Sequence, residues 1–107
     1  MQGERLKILL EDLEEEPNNP FNIYGVAMEY INKENEKAIV YLDRLLNEHP
    51  NYVPTYYHAA SVYAELGKEE DAKATYEKGI EIAHHQHNMK AYDELRRAYR
   101  MFLDEIE

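Results

Sequence analysis

A chain of 107 residues with 22 acidic against 12 basic side chains, a formal charge of −10 and no cysteine has the size of one domain. The acidic balance repels phosphate backbones and anionic lipid, so nucleic acid and membrane surfaces are not expected partners, and without thiols there is no disulfide or thiolate chemistry. No basic, apolar leader and no apolar run near the ~20 residues that span a bilayer is visible, so a cytoplasmic protein is expected.

Abundant Ala, Leu, Glu, Lys and Tyr, no alternating run, and Pro and Gly confined to breaks predict an almost entirely helical chain. The first helix is read over Glu4 to Glu16, with Leu6, Leu9, Leu10 and Leu13 on one face and Ile8 off it. Pro17 and Asn18 end it, and Glu14, Glu15 and Glu16 crowd the end where the helix dipole disfavours negative charge, so fraying is expected there. Asn19 before Pro20 is a strong helix start, a capping side chain followed by a residue whose missing N–H costs nothing in the first turn. Helices then follow over Pro20 to Ile31, Asn35 to Glu48, Pro54 to Leu66 and Glu69 to His84. Gly67 closes the fourth by taking the left-handed conformation. Asn32 or Asn35 supplies the corresponding turn earlier in the chain, as asparagine tolerates that region. After the polar stretch His85 to Asn88, a helix from Met89 to Ile106 carries Tyr92, Leu95, Tyr99, Phe102 and Ile106 at spacings of three, four, three and four. It is expected to cover the open face of the hairpin before it.

The stretch from Pro54 to Ile82 organises the rest. Tyr56, Ala59, Ala60 and Tyr63 share one face of its first helix, and Ala72, Tyr76, Gly79 and Ile80 share one face of its second, with small residues that let two backbones approach closely. This antiparallel hairpin resembles the tetratricopeptide repeat, with Tyr56, Ala59, Ala60, Tyr63, Ala72 and Tyr76 at the pattern's positions and His84 where the closing proline stands. A second copy precedes it. Ala38, Leu42 and Leu45 lie 34 residues before Ala72, Tyr76 and Gly79, while in the leading helix the offset reads as 35, pairing Phe21, Tyr24, Gly25 and Met28 with Tyr56, Ala59, Ala60 and Tyr63. One extra residue is therefore expected in the turn Ile31 to Asn35. Leu9, Leu13 and Pro17 sit 33 residues before Leu42, Leu46 and Pro50, as in the second helix of a preceding repeat. The expected fold is all-α: about six helices in antiparallel hairpins stacked as a short right-handed solenoid. Residues 1–107 are read as one domain with an N-terminal helix at 1–17, repeats at 19–52 and 53–86, and a capping helix at 88–107.

The sequence holds no Gly-rich phosphate loop, no H-E-x-x-H pair, no nucleophile elbow and no cysteine pair, so no enzyme activity and no cofactor are expected. The resemblance implies instead a concave groove, lined by the leading helices, that binds a segment of another protein. Carried onto this sequence, its lining is Asn22, Val26 and Glu29 from the first leading helix and Tyr57, His58, Ser61 and Glu65 from the second. Asn22 and Ser61 would hold a peptide backbone, Tyr57 and Val26 an apolar side chain, and Glu29 and Glu65 a basic one. The groove lacks the basic set that clamps a C-terminal carboxylate. Two alternatives stay open. The helix from Met89 docks on a second copy, making a homo-oligomer; or His84, His85 and His87 bind a metal, although a site also needs fixed geometry and a second shell. Arg96, Arg97 and Arg100 are the one basic cluster, read as a charged face with Asp93–Arg97 and Arg100–Asp104 pairs, or with Arg96 and Arg100 closing one end of the groove to receive an acidic group.

Overall fold

The computed structural model describes residues 2–107. Met1, within the N-terminal helix expected over 1–17, lies outside the described residues. Six helices and no strand occur among the described residues: α1 (Gln2–Glu15), α2 (Pro20–Tyr30), α3 (Asn35–Glu48), α4 (Pro54–Glu65), α5 (Glu69–His85) and α6 (Met89–Ile106). None is long and apolar enough to cross a membrane. They fall into two compact units, Met1–Tyr52 and Val53–Glu107.

In the first unit Pro20 stands in the first turn of α2, and the Asn19 Oδ1 accepts from the Phe21 N–H at 3.0 Å. Cap and proline thus act at one point, as the Asn-Pro pair predicts. At the other end Ile31 turns to φ −56°, ψ 135°, Asn32 takes φ 68°, and the Lys33 N–H donates to the Tyr30 carbonyl at 3.0 Å. This is a type II turn, which needs a left-handed residue at its third position and accepts asparagine there. Asn35 acts differently, through its side chain. Its Oδ1 accepts from the Asn32 N–H at 2.8 Å, fixing the turn to the start of α3. Ile23, Val26, Ala27 and Tyr30 are the buried residues of α2, and Ala38, Ile39, Leu42 and Leu45 those of α3. Helix α1 lies on α2. A Cβ at Gly25 would come 3.1 Å from the Leu9 Cδ2, and the Arg44 guanidinium of α3 donates to the Pro17 carbonyl at the α1–α2 corner.

The second unit turns by another device. Gly67 has φ 78°, its N–H donates to the Ala64 carbonyl at 3.1 Å, and the Lys68 N–H reaches back to Tyr63 at 2.9 Å. These two bonds are a Schellman motif, satisfying carbonyls that α4 would otherwise leave unpaired. The same motif closes α5, where His87 takes φ 57°, His87 N–H donates to His84 and Asn88 N–H to Ala83, both at 3.0 Å. The Asn88 Oδ1 then accepts from Ala91 N–H at 3.2 Å and caps α6. Within the α4–α5 hairpin a Cβ at Gly79 would lie 2.5 Å from the Tyr56 Cβ, so only glycine allows this approach. Helix α6 lays Leu95 and Phe102 inward on this hairpin; Tyr99 stacks on Tyr76 with ring centroids 5.5 Å apart and its hydroxyl donates to Glu77 Oε2 at 2.6 Å. Burial, then the hydrogen bond and charge of Glu77, push the Tyr99 phenol up to about 12.

The buried faces correct the register expected for the leading helices. Ile23, Val26, Ala27 and Tyr30 precede Tyr56, Ala59, Ala60 and Tyr63 by 33 residues each, not 35, while Ala38, Leu42 and Leu45 keep their offset of 34. Between matched positions the first hairpin is therefore one residue shorter than the second, rather than one longer. Phe21, expected to match Tyr56, is 66% exposed. Its aromatic ring and the glycine four residues on imitate the pattern, but the side chain that reaches the core is Ile23.

Candidate interaction cleft

Helix α4 is buried on its Tyr56, Ala59 and Ala60 face, so Tyr57 and Ser61, about 100° further round, look outward. They meet one flank of α6. Between them is an open cleft of ≈ 630 Å³, within the range of ligand-binding clefts. Tyr57, Ser61, Ala64 and Glu65 form the α4 wall; Glu94, Arg97, Ala98, Met101 and Glu105 form the α6 wall; and Tyr76 and Phe102 lie at its base. Tyr57 is 45% and Met101 63% exposed, so both present apolar surface to solvent. Burial chiefly, then the nearby Tyr57 and Glu105, push the Tyr76 phenol up.

Of the residues expected from the second leading helix, Tyr57, Ser61 and Glu65 line this cleft. His58 does not. Its ring sits edge-on to Tyr57 at 5.4 Å, and burial holds its imidazole below the usual range. The three residues expected from the first leading helix lie elsewhere. Val26 has no exposed surface and cannot line an open groove. Asn22 and Glu29 are turned to α1: Asn22 Nδ2 donates to the Asp12 carbonyl at 3.2 Å, and Glu29 pairs with Arg5 at 3.1 Å. The two-residue register error accounts for all three, since it rotates the inferred lining by about 200° around the helix.

The α6 wall was missed by sequence reasoning, although a signal for it exists. Glu94, Arg97, Ala98, Met101 and Glu105 recur at spacings of three, one, three and four beside the apolar stripe, a second face of the same helix. The arginines divide. Arg97 is in the cleft, whereas Arg96 and Arg100 border a separate depression with Ile80, Tyr99 and Leu103, so they do not close its end. Arg96 stands over the Tyr92 ring at 5.2 Å, a cation–π contact. Among the described residues neither Asp93 with Arg97 nor Arg100 with Asp104 forms an ion pair.

His84 turns its ring to Tyr92 at 5.4 Å, His87 is committed to the left-handed cap, and among the described residues no three His, Cys, Asp or Glu side chains are placed to hold a metal ion.

Tetratricopeptide repeat models match residues 23–52 and 53–84. The first match begins at Ile23, the residue that starts the buried face of α2. The solution structure of a tetratricopeptide repeat domain protein from Salinibacter ruber is similar at 33% identity and a TM-score of 0.76, over 81% of this chain and 89% of that one. A crystal structure of a tetratricopeptide repeat domain protein from the same organism gives 32% identity and a TM-score of 0.76, over 80% and 97%. MamA shares the fold at 20% identity and a TM-score of 0.66, over 92% of this chain and 65% of its own. A search of curated proteins gave no match. Two matched repeats, the shared identity over four-fifths of the chain and the hairpin geometry place the chain in the tetratricopeptide repeat family.

Proposed function

We propose that this protein is a non-catalytic interaction module that receives a segment of a partner protein in the cleft between α4 and α6. Repeats of this family mediate protein–protein interaction. The observation that carries the finer reading is the cleft itself: an open trough with aromatic and methionine surface at its centre and hydrogen-bonding groups on both walls. Surfaces that bind peptides combine apolar seats with polar rims in this way. The partner segment is one with apolar and basic side chains.

A second reading, self-association through α6, draws on the exposure of Met89 and Met101. The sequence of α6 weighs against its most direct form. Tyr92, Leu95 and Tyr99 follow Tyr56, Ala59 and Tyr63 by 36 residues each, and Arg96 then stands where Ala60 lets a second helix approach α4. A further helix would meet a guanidinium there instead of a methyl group.

The test is capture of partners from source-cell lysate by the full chain and by the Tyr57→Ala, Met101→Glu variant, both side chains being exposed so that helical circular dichroism is retained. A protein held by the parent chain and lost by the variant supports the cleft. Equal retention by both would overturn it, and recovery of only the chain itself would favour self-association.

A further inference from the structure

The charges in the cleft are unevenly placed, and this bears on what occupies it. Three-residue turns at 66–68 and 86–88 reverse the chain twice, so α4 and α6 run parallel and their C-terminal turns lie at the same end. That end carries Glu65 and Glu105. Toward the other end Glu94 and Arg97 are one helical turn apart on α6 and offset each other. Between the ends the walls are uncharged, with Ser61, Ala98 and Met101 over Phe102. The trough is therefore apolar in the middle and negative at one end.

Resting on the interaction reading above, we infer that the occupant is a partner segment that sets a large apolar side chain on Met101 and Phe102 and a lysine or arginine between Glu65 and Glu105. Met101 and Glu105 are four residues apart, about 6 Å along the helix axis. Two residues of extended peptide cover about the same distance, as does one turn of a bound helix. An apolar residue with a cation two places away in an extended segment matches both seats together. An acidic segment meets three carboxylates and one guanidinium in the trough and is rejected by them.

The test is an NMR titration of the isotope-labelled full chain with three capped heptapeptides: Ala-Arg-Ala-Leu-Ala-Arg-Ala and its counterparts with both arginines replaced by alanine or by glutamate. The expected result is shifts confined to amides near Ser61, Glu65, Ala98, Met101 and Glu105. The arginine probe should bind about fivefold to tenfold more tightly than the alanine probe, as two partly exposed ion pairs allow, and the glutamate probe most weakly. In the Glu65→Gln, Glu105→Gln variant the arginine probe should fall to the level of the alanine probe, and high salt should do the same to the parent chain. Equal binding of arginine and glutamate probes, or an arginine preference that survives the double substitution, would overturn the cation seat and leave the cleft as an interaction site. Failure of all three probes to move the cleft amides would overturn both readings.

Discussion

The two hairpins, α2–α3 and α4–α5, meet the same repeat plan with different materials. In the second, a large aromatic lies on a glycine, Tyr56 on Gly79. The matching positions of the first hold Ile23 and Leu45, two side chains of middling size, both buried. What the plan requires is a total volume between helices, which either pairing supplies. The turns differ likewise: a type II turn on Asn32 in one, a Schellman motif on Gly67 in the other. The turn residue is free to vary provided one position accepts positive φ, and the spacing between buried faces then shifts by one.

Ending the chain at residue 88 should have the largest effect on the second hairpin. The α4–α5 hairpin would lose the burial of Leu95 and Phe102 and the stacking of Tyr99 on Tyr76. Two large side chains at about 1.5–3 kcal/mol each are a large part of the stability of a small domain. Thermal unfolding followed by circular dichroism should lose its cooperative transition, or the truncated chain should aggregate; full cooperative melting would show that α6 does not hold the hairpin together.

A single methyl group should separate the glycines. Gly79→Ala places a Cβ inside the radius of the Tyr56 Cβ and Cγ, so backbone must move, and denaturant melts should show a loss of about 1–3 kcal/mol. Gly25→Ala meets only the flexible end of Leu9 and gains helix propensity, so its effect should stay within about 1 kcal/mol of zero. Equal losses at both sites would mean that the close approach in the second hairpin is relaxed in solution.

The smallest effects belong to the turns. Gly67→Ala puts a side chain at φ 78° and should cost about 1 kcal/mol, whereas His87→Gly removes a side chain from φ 57° and should raise stability by up to about 1 kcal/mol. Melting temperatures should move in opposite directions; a drop for His87→Gly would show that its imidazole has a role beyond the cap.

The residues carried different amounts of information. Helix starts at Asn19-Pro20 and the stop at Gly67 were legible because caps and left-handed turns are local chemistry, decided within four or five residues. His87 was not legible as a cap, since histidine takes positive φ only when the hydrogen bonds from residues 87 and 88 back to 84 and 83 draw it there. The α4 wall of the candidate cleft could be read from Tyr57, Ser61 and Glu65; the α6 wall is present as a second periodic face of its helix, but that periodicity does not name the helix it meets.

Six helices, their ends to within one or two residues, the repeat plan and the family to which it leads are all written in the order of the amino acids. Those follow from periodicity and end chemistry, which act over one or two turns of chain. Packing between helices puts Ile23 and not Phe21 in the core, and hence turns Asn22, Val26 and Glu29 inward or toward α1. It alone set Glu65 and Glu105 at one end of a shared trough. Rotation of a helix about its axis is set by which side chains fill the space against its neighbours. A shift of two residues costs little in local propensity and everything in packing.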